Sequence, residues 1–434
     1  MSEFFEIAYA AASKKLCFFT GTGFSKAVTN DKAPNWRGLL ESLCDLTKDP
    51  NKLKSVLFPA DKNYPLSLEE AAQIIEIELL KTSKSIHNEV ANLINVLVPT
   101  GDNSSISNFC TQNSFRVVTT NYDKLVESLS GEQDCHSITP GRPIPRSQAR
   151  VEIYHVHGSV DSPENMVITS NDYFKFINNE SYFSRKLSTV LHENTVVILG
   201  YSLSDTNLKA IISDYKGSSR NHSISSNLFL ISKDKIDQHI KDYYSHCYGI
   251  RVLDQLVIHD FFNTLNHAMP KAKLHVDNSV ENIKKVVYGT SSFREEYLKI
   301  EDSFFEIISS LAAVGMSIND PKVVSALGKI IQTKIKLTHE KGAWTQYEHL
   351  ARWLIHLGSI LELKKTSIES VYLDATQQSM ATMSKKLRLG YSWHAFQLWN
   401  NRWSEITSPN RAIIRSHIEE KSPSPDALEV INQS

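Results

Sequence analysis

Four short segments of the chain carry residue types that could do chemistry. Gly21-Thr22-Gly23-Phe24-Ser25 follows the apolar run Leu16 to Thr20. Two glycines in a tight turn after a strand present backbone N–H groups to an anion such as a pyrophosphate. Lys26 stands where a dinucleotide fingerprint would place its third glycine, so the standard fingerprint is broken. Thr120-Asn121-Tyr122-Asp123 ends a second apolar run with an amide and a carboxylate. His157-Gly158-Ser159 ends a third, and an imidazole takes and releases protons near neutral pH. Gly200-Tyr201-Ser202-Leu203, with Asp205 beyond it, ends a fourth. Each segment alone has a plain structural reading: helix caps for Asn121, Asp123 and Ser202, a turn for the glycines, a hydrogen-bonded strand residue for a histidine. Four in this order outweigh those readings, because an open α/β sheet binds ligands at the carboxyl ends of its strands. His155 lies two residues before His157, shares its strand face, and is read as a supporting or core residue.

The elements that must position these residues are short β-branched runs: Leu16–Thr20, Phe115–Thr120, Ile153–Val156, Thr195–Leu199, Leu228–Ile231 and Ile250–Leu253. They are apolar on both sides rather than alternating, as strands buried under helices on both faces are. Between them lie stretches with helical spacing, among them Ser67–Leu80 with its Ser-x-x-Glu opening. Alternating strands and helices predict an α/β fold with a doubly wound parallel sheet. After about Pro270 the strand-like runs stop and helical spacing takes over, dividing the chain into residues 1–275 and an all-helical 276–434. Five of the six tryptophans lie in the second part, where they serve as core or as partner-facing anchors. The last stretch, polar and proline-punctuated from Glu419, predicts a frayed tail.

Composition excludes several classes. With 41% hydrophobic and 22% charged residues the 434-residue chain is ordinary globular material. Forty-seven basic against forty-eight acidic residues give a net charge of -1, so nothing global calls for direct binding to nucleic acid or to an anionic membrane. The N-terminal stretch has its lysines after its apolar part, the wrong order for a secretory signal, and no run is long enough to span a bilayer. The five cysteines are scattered without a Cys-x-x-Cys pair, which predicts a cytoplasmic protein with neither a disulfide framework nor a zinc site.

The four segments, in this order, resemble the signature segments of the sirtuin fold, over roughly residues 1 to 270. Tyr248-Gly249-Ile250 falls where that fold closes its adenine pocket. Protein-deacylating sirtuins carry a cysteine-bound zinc module between the histidine and the Gly-x-Ser segment, whereas residues 158–199 here hold no cysteine. Asn35-Trp36-Arg37 stands where the deacylases carry a segment similar to Pro-Asp-Phe-Arg. In both respects the chain is similar to the bacterial sirtuin-like NAD hydrolases of antiviral defence, some of which act with a HerA-type ATPase. The resemblance implies NAD as substrate, cleaved to nicotinamide and ADP-ribose. Asn121 would hold the attacking water and a ribose hydroxyl, and His157 would accept the proton. Asp123 would orient the nicotinamide carboxamide. Gly21, Thr22, Gly23, Phe24, Ser25 and Arg37 would hold the pyrophosphate, and Gly200, Ser202 and Asp205 the adenosine half. A β-branched residue at Gly23 is then expected to weaken NAD binding more than stability.

An enzyme that consumes NAD needs restraint, which predicts a homo-oligomer or a partner ATPase acting through the helical third. Two other readings stay open at this level. One is a sensor that binds nucleotide or ADP-ribose without turnover. The other is an NAD-dependent protein deacylase or ADP-ribosyltransferase.

Overall fold

The computed structural model describes residues 2–59, 66–178, 182–201, 228–289, 291–313, 316, 320–364, 366–421 and 423–433. Seven strands form one sheet: β1 Leu16–Thr20, β2 Phe115–Thr119, β3 Cys135–Ile138, β4 Val151–His155, β5 Thr195–Leu199, β6 Leu228–Ile231 and β7 Ile250–Leu253. Their order is β3-β4-β2-β1-β5-β6-β7, and every pairing is parallel. From β1 the chain builds outward on one side, then crosses to the other with β5. The switch point therefore lies beside β1, where such sheets place ligands.

The apolar runs follow from burial on both faces. Along β1, Leu16 and Phe18 enter one apolar cluster while Cys17 and Phe19 enter another on the opposite face. No face is left for polar residues. β3 escaped the sequence reading because its segment has no continuous apolar run: Cys135, His136 and Ser137 are polar or small and only half-buried. The helix Leu68–Leu80 starts at Ser67 with both bonds of its capping box formed: the Ser67 hydroxyl accepts from Glu70 N at 3.3 Å and Glu70 Oε2 accepts from Ser67 N at 2.8 Å.

Beyond β7 the described residues are helical. The helix Ile258–Tyr288 is 31 residues long and carries Pro270 in its interior. The 275/276 division read from composition lies inside it. On this helix Phe261 and Phe262 pack edge-on against Phe18 or tilted to it, at 6.4 and 5.3 Å between ring centroids. One apolar cluster continues from Phe18 through these rings to Trp353, Trp399 and Trp403. Composition thus marks where strands stop, whereas the core runs on. The N-terminal helix Ser2–Ala12 spans both regions: Glu6 pairs with Arg251 of β7 at 2.6 Å, and Tyr9 Oη lies 3.4 Å from Ser310 Oγ.

In the helical third one open reading closes and one expectation is overturned. Trp353, Trp399 and Trp403 are fully buried, so they are core rather than anchors, while Trp344 and Trp393 are 53% and 37% exposed. The tail is not frayed between 425 and 431. The helix Pro425–Ile431 is capped by Ser424 and buries Ala427, Val430 and Ile431, a helical spacing the prolines on its flank disguise. Among the described residues no helix is long and apolar enough to cross a membrane.

Candidate active site at the strand ends

One register row crosses the sheet: His155 beside Thr119, Thr119 beside Thr20, Thr20 beside Leu199. Gly21, Asn121, His157 and Gly200 each follow this row by one or two residues, so the four segments emerge together at one edge. Beyond the ladder the chains after β2 and β4 stay side by side, with Val156 N–H donating to Thr119 O at 3.0 Å and Val160 N–H to Tyr122 O at 3.0 Å. Asn121 and His157 thus come from adjacent strand ends at equivalent positions.

The glycine turn meets the turn after β5 backbone to backbone. Gly200 has φ +60°, and a Cβ there would lie 2.0 Å from Phe24 N; a Cβ on Gly23 would lie 2.7 Å from Gly200 Cα. Glycine is required at both positions to let the two strand ends approach. A β-branched residue at Gly23 therefore strikes the fold before any ligand, reversing the expectation that affinity would suffer more than stability. Hydrogen bonding narrows the cradle expected of Gly21 to Phe24. Gly21 N–H donates to Leu199 O, Gly23 N–H to Gly200 O and Phe24 N–H to Gly21 O, at 3.1, 2.7 and 2.9 Å. The Thr22 N–H is the one in this turn without a backbone acceptor among the described residues.

Ser25, Asn121 and Asp123 form one bonded group. The Ser25 hydroxyl donates to Asp123 Oδ2 at 2.6 Å and accepts from Asn121 Nδ2 at 2.8 Å. Asp123 Oδ1 accepts from Leu125 N at 3.2 Å. Burial pushes the Asp123 carboxyl above the usual carboxylate range, and the bonds from Ser25 and Leu125 work against that rise. Asn121 is half-buried. With one N–H committed to Ser25, its carbonyl oxygen and second N–H are left for a ligand. Its backbone is held as well, since Asn121 N–H donates to Thr119 Oγ1 at 3.1 Å. Tyr122 turns the opposite way: its hydroxyl donates to Val167 O at 2.6 Å and its ring packs 6.2 Å from Trp36.

His157 is 8% exposed and sits edge-on to Tyr173 and Phe176, at 5.4 and 5.2 Å between centroids. Those rings wall the imidazole on one side. Arg37 rides on the helix Trp36–Cys44, which Asn35 caps through Gly38 N at 2.7 Å. Its guanidinium pairs with Glu41 at 2.7 Å and lies over the Phe58 ring. Gly249, at φ +66°, ends the helix Gln238–Tyr248 and starts β7. Ser202 and Asp205 lie outside the described residues.

Sequence reasoning missed Glu127. It is 4% exposed on the helix Leu125–Ser130, and its Oε1 accepts from Ser137 Oγ, Lys124 Nζ and faces His155 Nε2, each at 2.9 Å. Burial alone would raise this carboxyl, yet His155 and Lys124 hold it down to about 2. Lys124 also pairs with Asp161 at 2.6 Å. The signal in sequence was faint: a Glu in a run that also reads as a solvated helix face.

Residues 116–253 match the SIR2-like domain family. The matched span lies on a Rossmann-like parallel sheet and contains Asn121, His155, His157 and Gly200. Defense-associated sirtuin 2 of Bacillus subtilis is 25% identical over 222 residues, covering 48% of this chain and 20% of that protein. The NAD(+) hydrolase ThsA of Bacillus cereus (strain MSX-D12) is 29% identical over 99 residues, 22% of this chain and 21% of that protein. The protein of the same name from Enterococcus faecium is 34% identical over 107 residues, 23% and 22% respectively. The chain spans about a fifth of the length of the curated relatives it matches.

Proposed function

We propose that this protein is an NAD glycohydrolase that cleaves NAD to nicotinamide and ADP-ribose with water, and that it acts in antiviral defence by depleting NAD. The observation that carries this reading is the convergence of Asn121 and His157 from adjacent strand ends, beside the glycine turn at the switch point of the sheet. The names of the relatives support the choice of NAD and of defence.

Breaking the bond between nicotinamide and ribose builds positive charge at the anomeric carbon, so the site must stabilise it and aim a nucleophile at one face. In this reading the Asn121 carbonyl oxygen accepts from the attacking water and its free N–H donates to a ribose hydroxyl. His157, walled by Tyr173 and Phe176, takes the proton released as the water attacks. Asp123, whose two oxygens already accept from Ser25 and Leu125, serves by fixing Ser25 and through it Asn121; its contact to the carboxamide uses its remaining lone pairs. The Thr22 N–H faces the pyrophosphate, with Arg37, Gly200, Ser202 and Asp205 completing the nucleotide contacts; the Ser25 hydroxyl, its one hydrogen on Asp123, holds Asn121 instead. Restraint by self-association or by a HerA-type ATPase, in a cytoplasmic setting, belongs to the same proposal.

The test is to incubate the purified full chain with NAD, alone and with a candidate ATPase, and to follow nicotinamide and ADP-ribose by chromatography. Both products are expected, with Asn121→Ala and His157→Ala each lowering kcat by about 10²–10⁴-fold in folded protein. NAD binding without turnover under every condition would overturn the reading in favour of a sensor.

A further inference from the structure

We propose that His155, backed by Glu127, is a positioning residue that fixes the backbone of Asn121. The inference rests on the proposed role of Asn121 and goes beyond it by naming what aims that side chain.

His155 closes β4 and is 1% exposed. Its Nδ1 lies 3.2 Å from the Asn121 carbonyl oxygen, and its Nε2 lies 2.9 Å from Glu127 Oε1. A carbonyl oxygen only accepts, so Nδ1 carries the hydrogen of the first bond. The second bond holds one further proton between imidazole and carboxylate, whichever of the two carries it. Asn121 is then pinned three times: N–H on Thr119 Oγ1, C=O on His155 Nδ1, side-chain amide on Ser25 Oγ. A residue held at its amide, its carbonyl and its side chain has little rotational freedom left. Its remaining lone pairs point in a fixed direction before substrate arrives.

Glu127 is more than a packing partner for this histidine. Its Oε1 is held by Ser137 and Lys124, and Lys124 reaches the surface residue Asp161, so the carboxylate has a fixed place under the strand ends. Its Oε2 is buried with no hydrogen-bond partner among the described residues. Leaving a buried carboxylate oxygen unpaired is costly. A fold that keeps such a group needs its other oxygen in one position, here against the imidazole.

Two substitutions separate positioning from mere packing. The side-chain amide of Asn places its nitrogen near the site of Nδ1, whereas that of Gln places it near Nε2. His155→Asn keeps the donor to Asn121 and loses Glu127, and His155→Gln does the reverse. We expect His155→Gln to lower kcat by about 10²-fold with KM for NAD little changed, as a misplacement near 1 Å does. His155→Asn is expected to recover at least about tenfold of that loss, and Glu127→Gln to fall between the two. Equal kcat in the Asn and Gln variants, at equal folded fraction, overturns the inference while leaving the proposed hydrolysis standing. Nitrogen-15 spectra of labelled histidine give a readout independent of turnover, with the His155 signal assigned by its loss in the Asn variant or its shift in Glu127→Gln. A hydrogen on Nδ1 in the folded protein is expected, and a bare Nδ1 overturns the inference even if the variants fail to fold or NAD is not cleaved.

Discussion

Buried charge is handled in opposite ways at Glu127, by the strand ends, and at Lys334, in the helical third. At the strand ends the buried Glu127 carboxylate meets Lys124 Nζ and His155 Nε2, each at 2.9 Å. In the helical third Lys334 is completely buried, and the contacts to its ammonium are neutral: Leu298 O and Gln346 Oε1 at 2.7 Å, His349 Nδ1 at 3.4 Å and the Trp353 ring 4.1 Å below it. Burial pushes the Lys334 ammonium down to about 7. The contrast teaches what each region is built to hold. The first keeps polar groups fixed at the proposed site; the second keeps large rings packed and tolerates one lysine that neutral dipoles satisfy.

The comparison breaks or sharpens through substitutions, the largest effect first. Trp399 is fully buried with its indole N–H on Ser379 Oγ at 2.9 Å, so Trp399→Ala should cost about 3–5 kcal/mol in urea unfolding. The half-exposed Trp344 serves as the control, with Trp344→Ala expected within about 0.5 kcal/mol. Similar losses at both would erase the distinction between core and surface tryptophans.

Gly200→Val should cost about 2–5 kcal/mol, combining overpacking against Phe24 N with a β-branched residue at positive φ. A variant as stable as the parent by the same unfolding curve would mean that the two turns can part without penalty.

Lys334→Met tests the electrostatic half of the contrast. The folded ammonium titrates near 7 and an unfolded lysine near about 10.4, so between those values the unfolded chain binds more protons and stability rises with pH. Below about pH 7 both states are charged and the desolvation cost is present in full. The variant should therefore gain most relative to the parent near pH 6, with the gap narrowing towards pH 10. Parallel stability profiles for the two proteins would show that Lys334 bears no such cost. Ser424→Ala gives the smallest change, about 1 kcal/mol, measured as earlier hydrogen exchange in the helix Pro425–Ile431.

What was legible in the sequence follows the range of the interaction that encodes it. The runs at Leu16–Thr20, Thr195–Leu199 and Leu228–Ile231 coincide with β1, β5 and β6, because burial on both faces writes itself into consecutive residues. Ser67 announced its helix because a capping box is complete within four residues. The order of the four polar segments was likewise readable, since parallel strands deliver their carboxyl ends to one edge by topology alone.

Tertiary structure decided the rest. Glu127 and His155 stand 28 residues apart and meet only because the helix after β2 packs under the end of β4. Ser25 and Asp123 are 98 apart, and nothing local to either predicts their bond. The glycines of the first turn read as a bare phosphate cradle until Gly200 came to lie against them, taking one of their N–H groups and all of the space for a side chain. Sequence periodicity records which face of an element is buried; which buried polar groups find one another depends on contacts between elements, and those exist only once the sheet has closed its register.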